Sequence, residues 1–419
     1  MTGQRSLAIP QALEELVEAH RRDDAGAVQA LQNALLRDND DVGGHRRIAV
    51  ALMHAGLIRP AIAAQVACVN AGMRLKRRLA DDENLLVAMM LMLGDARSAA
   101  AMSKRITREW PDYIAGWENH AFALTQVGDI RGAADAYRRV LEAQPGKLNA
   151  MDGLARCLAG TEEREEAIAL GRRSLEAKAA AALALPRHWI MPEAPPPPFD
   201  ASRPERNVIA YSLWGANPRY LVTAERNARI AGDIYPGWTC RFYHDDTVPD
   251  ATLARLRETG ATCVAMPRHV AMEGLMWRFL VAGDPAVDRF LVRDADSLLT
   301  VQERVAVDDW LASGKRFHLM RDWYSHTDLI LAGLWGGTGG VLTGIEERMA
   351  GYTGTTDRID RKLDQRFLAD VVWPSIRGDC LSHDSYFGCF DARPFPPWGR
   401  LPPGHHVGQN ASVHGRQGS

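Results

Sequence analysis

The chain has 419 residues, too many for one ordinary core, so two or three domains are expected. Hydrophobic residues make up 46% and charged residues 24%, the balance of a globular protein and not of a disordered chain. Lys and Arg number 50 against 52 Asp and Glu, a net charge of -2, so no global basic surplus asks for nucleic acid or an anionic membrane as partner.

The opening "MTGQRSLAIPQALEELVEAH" has no cationic segment followed by a long apolar run and reads as free of a signal peptide. The most apolar window, "LLVAMMLML" at 85–93, is nine residues long. A membrane span needs about 20, so no transmembrane segment is expected and this window belongs to a core helix. Cys68, Cys157, Cys240, Cys263, Cys380 and Cys389 stand singly, with no CxxC pair. That pattern predicts reduced thiols in a cytoplasmic protein.

The first half repeats itself. "GWENHAFALTQVGDIRGAADAYRRVLEAQPG", from 116 to 146, contains Trp117, Ala121, Leu124, Gly128, Ala133, Tyr137 and Pro145. A shift of 34 residues back meets Val87, Met90, Gly94, Ala99 and Pro111, and the same shift forward meets Ala155, Leu158 and Ala167. Leu52, Gly56 and Ala61 keep the same mutual spacings. In paired antiparallel helices, small residues allow close approach, Gly breaks the first helix, large residues fill the seam and Pro ends the second. The pattern resembles the tetratricopeptide repeat (TPR), whose period it matches. Three units are recognisable, preceded by degenerate helix pairs at about 10–37 and 42–75. Such arrays bind peptides or protein partners on a concave face. The alanine-rich helix at 163–185 is expected to cap the array.

Next comes "MPEAPPPPFDASRPER" at 191–206, whose four consecutive prolines favour a semi-rigid extended spacer and forbid a helix. The expected division is a TPR-like domain at 1–188, a Pro-rich linker at 189–206, an α/β domain at 207–410 and a flexible tail at 411–419.

From 207 the grammar changes. "NVIAYSLWG" predicts a strand ending in a turn, and "RYLVTAERNARIAGDIYPG" a helix with Leu221, Ala224, Ala228 and Ala231 on one side. "WTCRFYHDD" reads as a strand, "DATLARLRETG" as a helix and "TCVAM" as a strand. "GLMWRFLVAG" reads as a helix, "RFLVRDAD" as a strand, "VAVDDWLASG" as a helix and "RFHLMRD" as a strand. This alternation predicts a Rossmann-like, mainly parallel sheet covered on both faces, with ligands beyond the carboxyl ends of the strands. The whole chain is thus expected to be of the α + α/β class.

Asp294 and Asp296 lie at such a strand end. In extended backbone, residues i and i+2 point to one side, so the two carboxylates are able to converge, with small Ala295 between them. Two hard oxygen donors with no nearby Cys suit Mn²⁺ or Mg²⁺ better than zinc. A cation held by so few protein ligands keeps positions open for phosphate oxygens. The other reading is a pair of exposed turn residues, with Asp296-Ser297 capping the next helix. Asp245 and Asp246 also end a strand, but Thr247, Pro249 and Asp250 follow, which is a turn and helix-start signature.

Asp-Ala-Asp after an apolar strand resembles the DXD motif of metal-dependent glycosyltransferases with the A-type fold. The segments "FLVRDADSLLT", "WLASGKRFHLMRD" and "AGLWG" resemble those of bacterial and plant glycosyltransferase-like proteins, with Ala332 where Gly is expected. The similarity covers nearly all of the second half. It implies transfer of a sugar from a nucleotide-sugar donor, a UDP- or GDP-sugar, to an unknown acceptor, with the TPR array recruiting acceptor or partner. Asp294, Asp296 and His406 would hold the cation, with His405 and His383 as rivals to His406. Nucleotide-sugar contacts are expected from Ser212, Leu213, Trp214, Gly215, Arg278, Arg293, Gly333 and Trp335. Catalytic candidates are Asp294, Asp296, Asp364 and Gln365, although helix N-capping also explains Asp364. In a second reading the array is an interaction scaffold beside a non-catalytic nucleotide-sugar binder.

Overall fold

The computed structural model describes residues 9–22, 24–36, 41–267, 274–353 and 362–411. Of the expected tail, 412–419 lie outside the described residues. The chain forms two compact units that divide after Glu162.

The first unit runs α1 (Ile9–Arg21), α2 (Ala25–Leu35), α3 (Val42–His54), α4 (Ile58–Arg74), α5 (Ala80–Leu93), α6 (Ala96–Glu109), α7 (Ile114–Val127), α8 (Ile130–Ala143) and α9 (Leu148–Leu158). From α3 to α9 each helix packs on the next in sequence, as the repeat predicts, and α1 packs on α2. The 34-residue period is visible in the turns. Gly94 and Gly128 end α5 and α7 in the left-handed region, at φ +88° and +84°, where a Cβ is costly. The next residues, Asp95 and Asp129, cap α6 and α8 by accepting from the N–H of Ser98 and Gly132. Ala99, Ala121, Ala133 and Ala155 are fully buried where helices meet. The first unit is therefore a helical repeat array.

The second unit opens with α10 (Arg164–Ala182). Sequence reasoning assigned this helix to the array as its cap, and the structure places it elsewhere. Leu175, Ala179 and Ala182, spaced 4 and 3 apart, join the hydrophobic core of the second unit with Trp189. The Pro-rich stretch is not a spacer either. Extended proline backbone leaves its carbonyls unpaired, and here buried arginines take them: Arg316 donates to Ala194 O and Arg289 to Pro197 O. Phe199 stacks on Trp238 with ring centroids 5.5 Å apart.

The sheet and its helices follow: β1 (Asn207–Leu213), α11 (Pro218–Ile234), β2 (Thr239–His244), α12 (Asp250–Glu258), β3 (Thr262–Ala265), a 3-10 helix (Gly274–Gly283), β4 (Arg289–Arg293), α13 (Val301–Ala312) and β5 (Phe317–Arg321). The chain continues through β6 (Leu334–Thr338), α14 (Ile345–Thr353), α15 (Leu363–Phe367), α16 (Trp373–Ile376) and β7 (Cys380–Asp384). Strand order is β3-β2-β1-β4-β6-β5-β7. β6 runs antiparallel to both neighbours, and the other pairings are parallel. Side chains alternate between two cores: Val208, Ala210, Phe290 and Val292 enter one, Ile209, Tyr211, Leu213 and Leu291 the other.

Three expectations change. "GLMWRFLVAG" forms a 3-10 helix, because Met276, Trp277, Phe279, Val281 and Ala282 are buried around it and packing overrides α propensity. The segment 329–340, in which no strand was read, contains β6. A Cβ on Gly336 would lie 2.5 Å from Phe290 O, and one on Gly337 2.6 Å from the Phe317 ring, so the glycines admit close-packed neighbours. Asp364 and Gln365 open no single helix: α15 passes through a π-turn at 368–372 into α16.

Candidate functional site

After β1 the chain builds β2 and β3 outward on one side, then returns to place β4 on the other. The carboxyl ends of β1 and β4 therefore flank a topological switch point, where open α/β sheets leave a crevice. A cavity of about 290 Å³ lies there, lined by Ser212, Leu213, Trp214, Tyr220, Leu275, Arg278, Asp294, Ala295 and Asp296. A larger cleft of about 540 Å³ beside His188, Arg348 and Tyr352 is more open and holds one carboxylate, Glu347.

Strand β4 stops at Arg293, and Ser297 N–H donates to Asp294 O at 3.2 Å, so the acidic pair sits on a turn. The simple i, i+2 geometry of a strand does not apply. Asn227, fully buried on α11, fixes this turn by donating to Ser297 O (2.7 Å) and accepting from Leu299 N–H (3.0 Å). Both carboxylates still open on the same cavity, each with an arginine.

Arg278 is the buried one. Its guanidinium donates to Asp294, to Asp364 at 3.1 Å and to the Arg293 carbonyl at 3.3 Å, while its backbone N–H donates to Ser212 Oγ at 3.0 Å. Burial works against its charge, and Asp294 and Asp364 outweigh it, so its pKa rises. Burial pushes the Asp364 carboxyl up, with Arg278 opposing and Asp294 adding. Gly333 makes room for this group: a Cβ there would lie 2.1 Å from Asp294 Oδ2.

Arg219, in the first turn of α11, is half exposed. It donates to Asp296 Oδ2 through Nη2 (2.5 Å) and Nε (3.0 Å) and lies over the Tyr220 ring at 5.4 Å. Asn410 donates to the same oxygen at 2.9 Å. Burial first, and then Asp294, push the Asp296 carboxyl above its ordinary value.

Of the candidate residues, Ser212, Leu213, Trp214, Arg278, Asp294 and Asp296 are brought together around this cavity. Gly215 is next to them and donates its N–H to Thr247 Oγ1 at 2.6 Å. Asp245 accepts from the same Thr247, the turn role expected of it. Other candidates are not brought to the cavity. Trp335 is fully buried between Phe279 and Phe290. Arg293 is buried against Glu303 at 3.2 Å, behind the strand. Asp364 stands behind Arg278, and Gln365 Oε1 accepts from Ala332 N–H at 3.3 Å. His406 stacks on Trp323 with centroids 4.9 Å apart, and His383 is buried between His318 and Asp309. Arg219, Tyr220, Leu275, Asn227 and Asn410 were missed. The first two had a signal: they follow Pro218 at a helix start directly after β1.

Among the described residues no three His, Cys, Asp or Glu side chains group to hold a cation. The oxygen donors present, the two carboxylates of Asp294 and Asp296, are of the kind that suits a hard divalent cation. One or two carboxylates suffice where phosphate oxygens complete the shell. Asp294 and Asp296 therefore fit such a cation, without the histidine.

Fold and site define an α-helical repeat protein continued by an α/β unit with a cavity at the carboxyl edge of its sheet. No family model matches the chain, and no curated protein matches it. Similar solved structures include MamA, 17% identical over 42% of this chain and 94% of that one, with a TM-score of 0.33. YrrB, a TPR protein with an unusual peptide-binding site, is 16% identical over 41% and 93%, with a TM-score of 0.31. A mutant O-GlcNAc transferase of Thermobaculum terrenum is 16% identical over 70% of this chain, at a TM-score of 0.39, and the match spans 47% of that transferase. Among the described residues no helix is long and apolar enough to cross a membrane.

Proposed function

We propose that the second unit is a glycosyltransferase of the A-type fold that takes a UDP- or GDP-sugar, with the repeat array recruiting the acceptor or a partner protein. The observation that carries this reading is the cavity at the β1/β4 switch point, lined by Trp214, Tyr220 and the Asp294/Asp296 pair. The mixed sheet with β6 reversed beside β4, and the "FLVRDADS" segment, support the same reading.

Trp214 and Tyr220 line the cavity and would supply aromatic contacts to the base. Arg278 fixes Asp294 from behind, and Asp364 fixes Arg278, so Asp364 is a positioning residue. Asp294 and Asp296 would hold Mn²⁺ or Mg²⁺, which when bound supplies positive charge against that of the departing diphosphate. Asp296→Ala should abolish metal-dependent release of nucleoside diphosphate with an unchanged circular dichroism spectrum. Wild-type turnover in that variant removes the reading.

One observation favours a second reading, a non-catalytic nucleotide-sugar binder beside an interaction array. Each carboxylate of the pair already has an arginine partner. A screen of UDP- and GDP-sugars with and without Mn²⁺ separates the two, since a binder responds in thermal shift and releases no nucleoside diphosphate.

A further inference from the structure

We infer that Arg219 binds the donor's diphosphate, and that its ion pair with Asp296 is a resting state given up when Asp296 takes a cation. This rests on the transferase reading above and names the residue that receives the leaving group.

The two arginines that pair with the acidic residues are held differently. Arg278 has side-chain exposure of 6% and is fastened by two carboxylates and a carbonyl. Arg219 has side-chain exposure of 46% and is fastened by one carboxylate. Its hold on that carboxylate is also geometrically incomplete. A guanidinium fork matches two oxygens of a carboxylate or phosphate. Here Nη2 and Nε both converge on Oδ2 of Asp296, which Asn410 also occupies. The fork's natural two-oxygen partner is therefore not supplied by Asp296 in this arrangement, and a phosphate supplies it.

Position favours the same ligand. Arg219 is the second residue of the 17-residue helix α11, whose amino end follows β1 at the switch point, and its neighbour Tyr220 lines the cavity. Backbone N–H groups at such an end favour negative charge. A cation on Asp296 and the guanidinium on Asp296 repel each other and compete for one oxygen. Occupation by one releases the other, and the diphosphate that arrives with the cation offers Arg219 its new partner. Binding of cation and diphosphate is then linked through this side chain.

The test is calorimetric and uses the full chain, with Mn²⁺ alone and then UDP and GDP in the presence of Mn²⁺. Removing an exposed competitor should let Arg219→Ala bind Mn²⁺ about two- to fivefold more tightly. Losing charge-assisted hydrogen bonds should weaken its nucleoside diphosphate about 10- to 100-fold. Arg219→Lys, a point charge without the fork, should keep wild-type Mn²⁺ affinity and recover only part of the diphosphate affinity. Opposite signs for the two ligands are what a merely structural arginine does not produce. If Asp296→Asn loses Mn²⁺ while Arg219→Ala binds both ligands as wild type does, or binds Mn²⁺ more weakly, the Arg219 role is overturned and the site stands. If the wild type binds neither Mn²⁺ nor a nucleoside diphosphate, the transferase reading falls and this inference with it.

Discussion

Removing the Arg278 charge tests whether the buried network is what shapes the cavity. In Arg278→Met the aliphatic volume remains while Asp294 and Asp364 lose their shared partner. Asp294 has side-chain exposure of 42% and can be hydrated, whereas Asp364, at 8%, is left as a buried uncompensated carboxylate. Breaking a buried pair in this way costs about 3–5 kcal/mol. At about 2–4 °C per kcal/mol for a unit of this size, the melting temperature should fall by about 6–20 °C. Tryptophan fluorescence is a suitable assay, because all but Trp110 and Trp117 of the eleven tryptophans belong to the second unit. Adding Asp364→Asn removes the orphaned charge and should restore most of the loss. The pH dependence follows from the direction of the Asp364 shift. Burial already raises its carboxyl, and without Arg278 only the Gln365 N–H, which donates to Asp364 at 2.8 Å, opposes that rise. The destabilisation should be full above the raised folded value and should shrink as pH falls toward the ordinary value of 3.8. A variant melting within about 2 °C of wild type, or a double variant as unstable as the single one, would refute the reasoning.

Gly333→Ala places a methyl group against Asp294 and should turn that side chain away, lowering turnover about 100-fold with little change in melting temperature; unchanged turnover would mean that the position of Asp294 is immaterial. His406→Ala should leave Mn²⁺ affinity unaltered in calorimetry. It should lower the melting temperature by about 1–6 °C through the lost Trp323 stacking. A tenfold loss of Mn²⁺ affinity would instead make His406 a ligand.

Much of this protein was legible locally. Gly94, Asp95, Gly128 and Asp129 announce the repeat because helix ends demand those residue types wherever they occur. Strands β1 to β5 and the helices α11 to α13 follow from runs of apolar residues and their periods, and Asp294 and Asp296 follow from acidic residues placed after a buried strand. These signals depend only on neighbours in sequence.

What tertiary structure decided lies in partners far apart along the chain. Whether α10 caps the array or joins the sheet depends on which apolar face covers Leu175 and Ala179, and that face is made by later residues. Strand β6 was hidden because its glycines serve the Phe290 backbone and the Phe317 ring, which no local pattern records. The partners of the acidic pair, Arg278 16 residues before Asp294 and Arg219 77 residues before Asp296, are set by strand order. Sequence alone specifies which groups need compensation, since charge and hydrogen-bonding capacity belong to each residue. Only the folded chain decides which group supplies it, because that is a matter of distance.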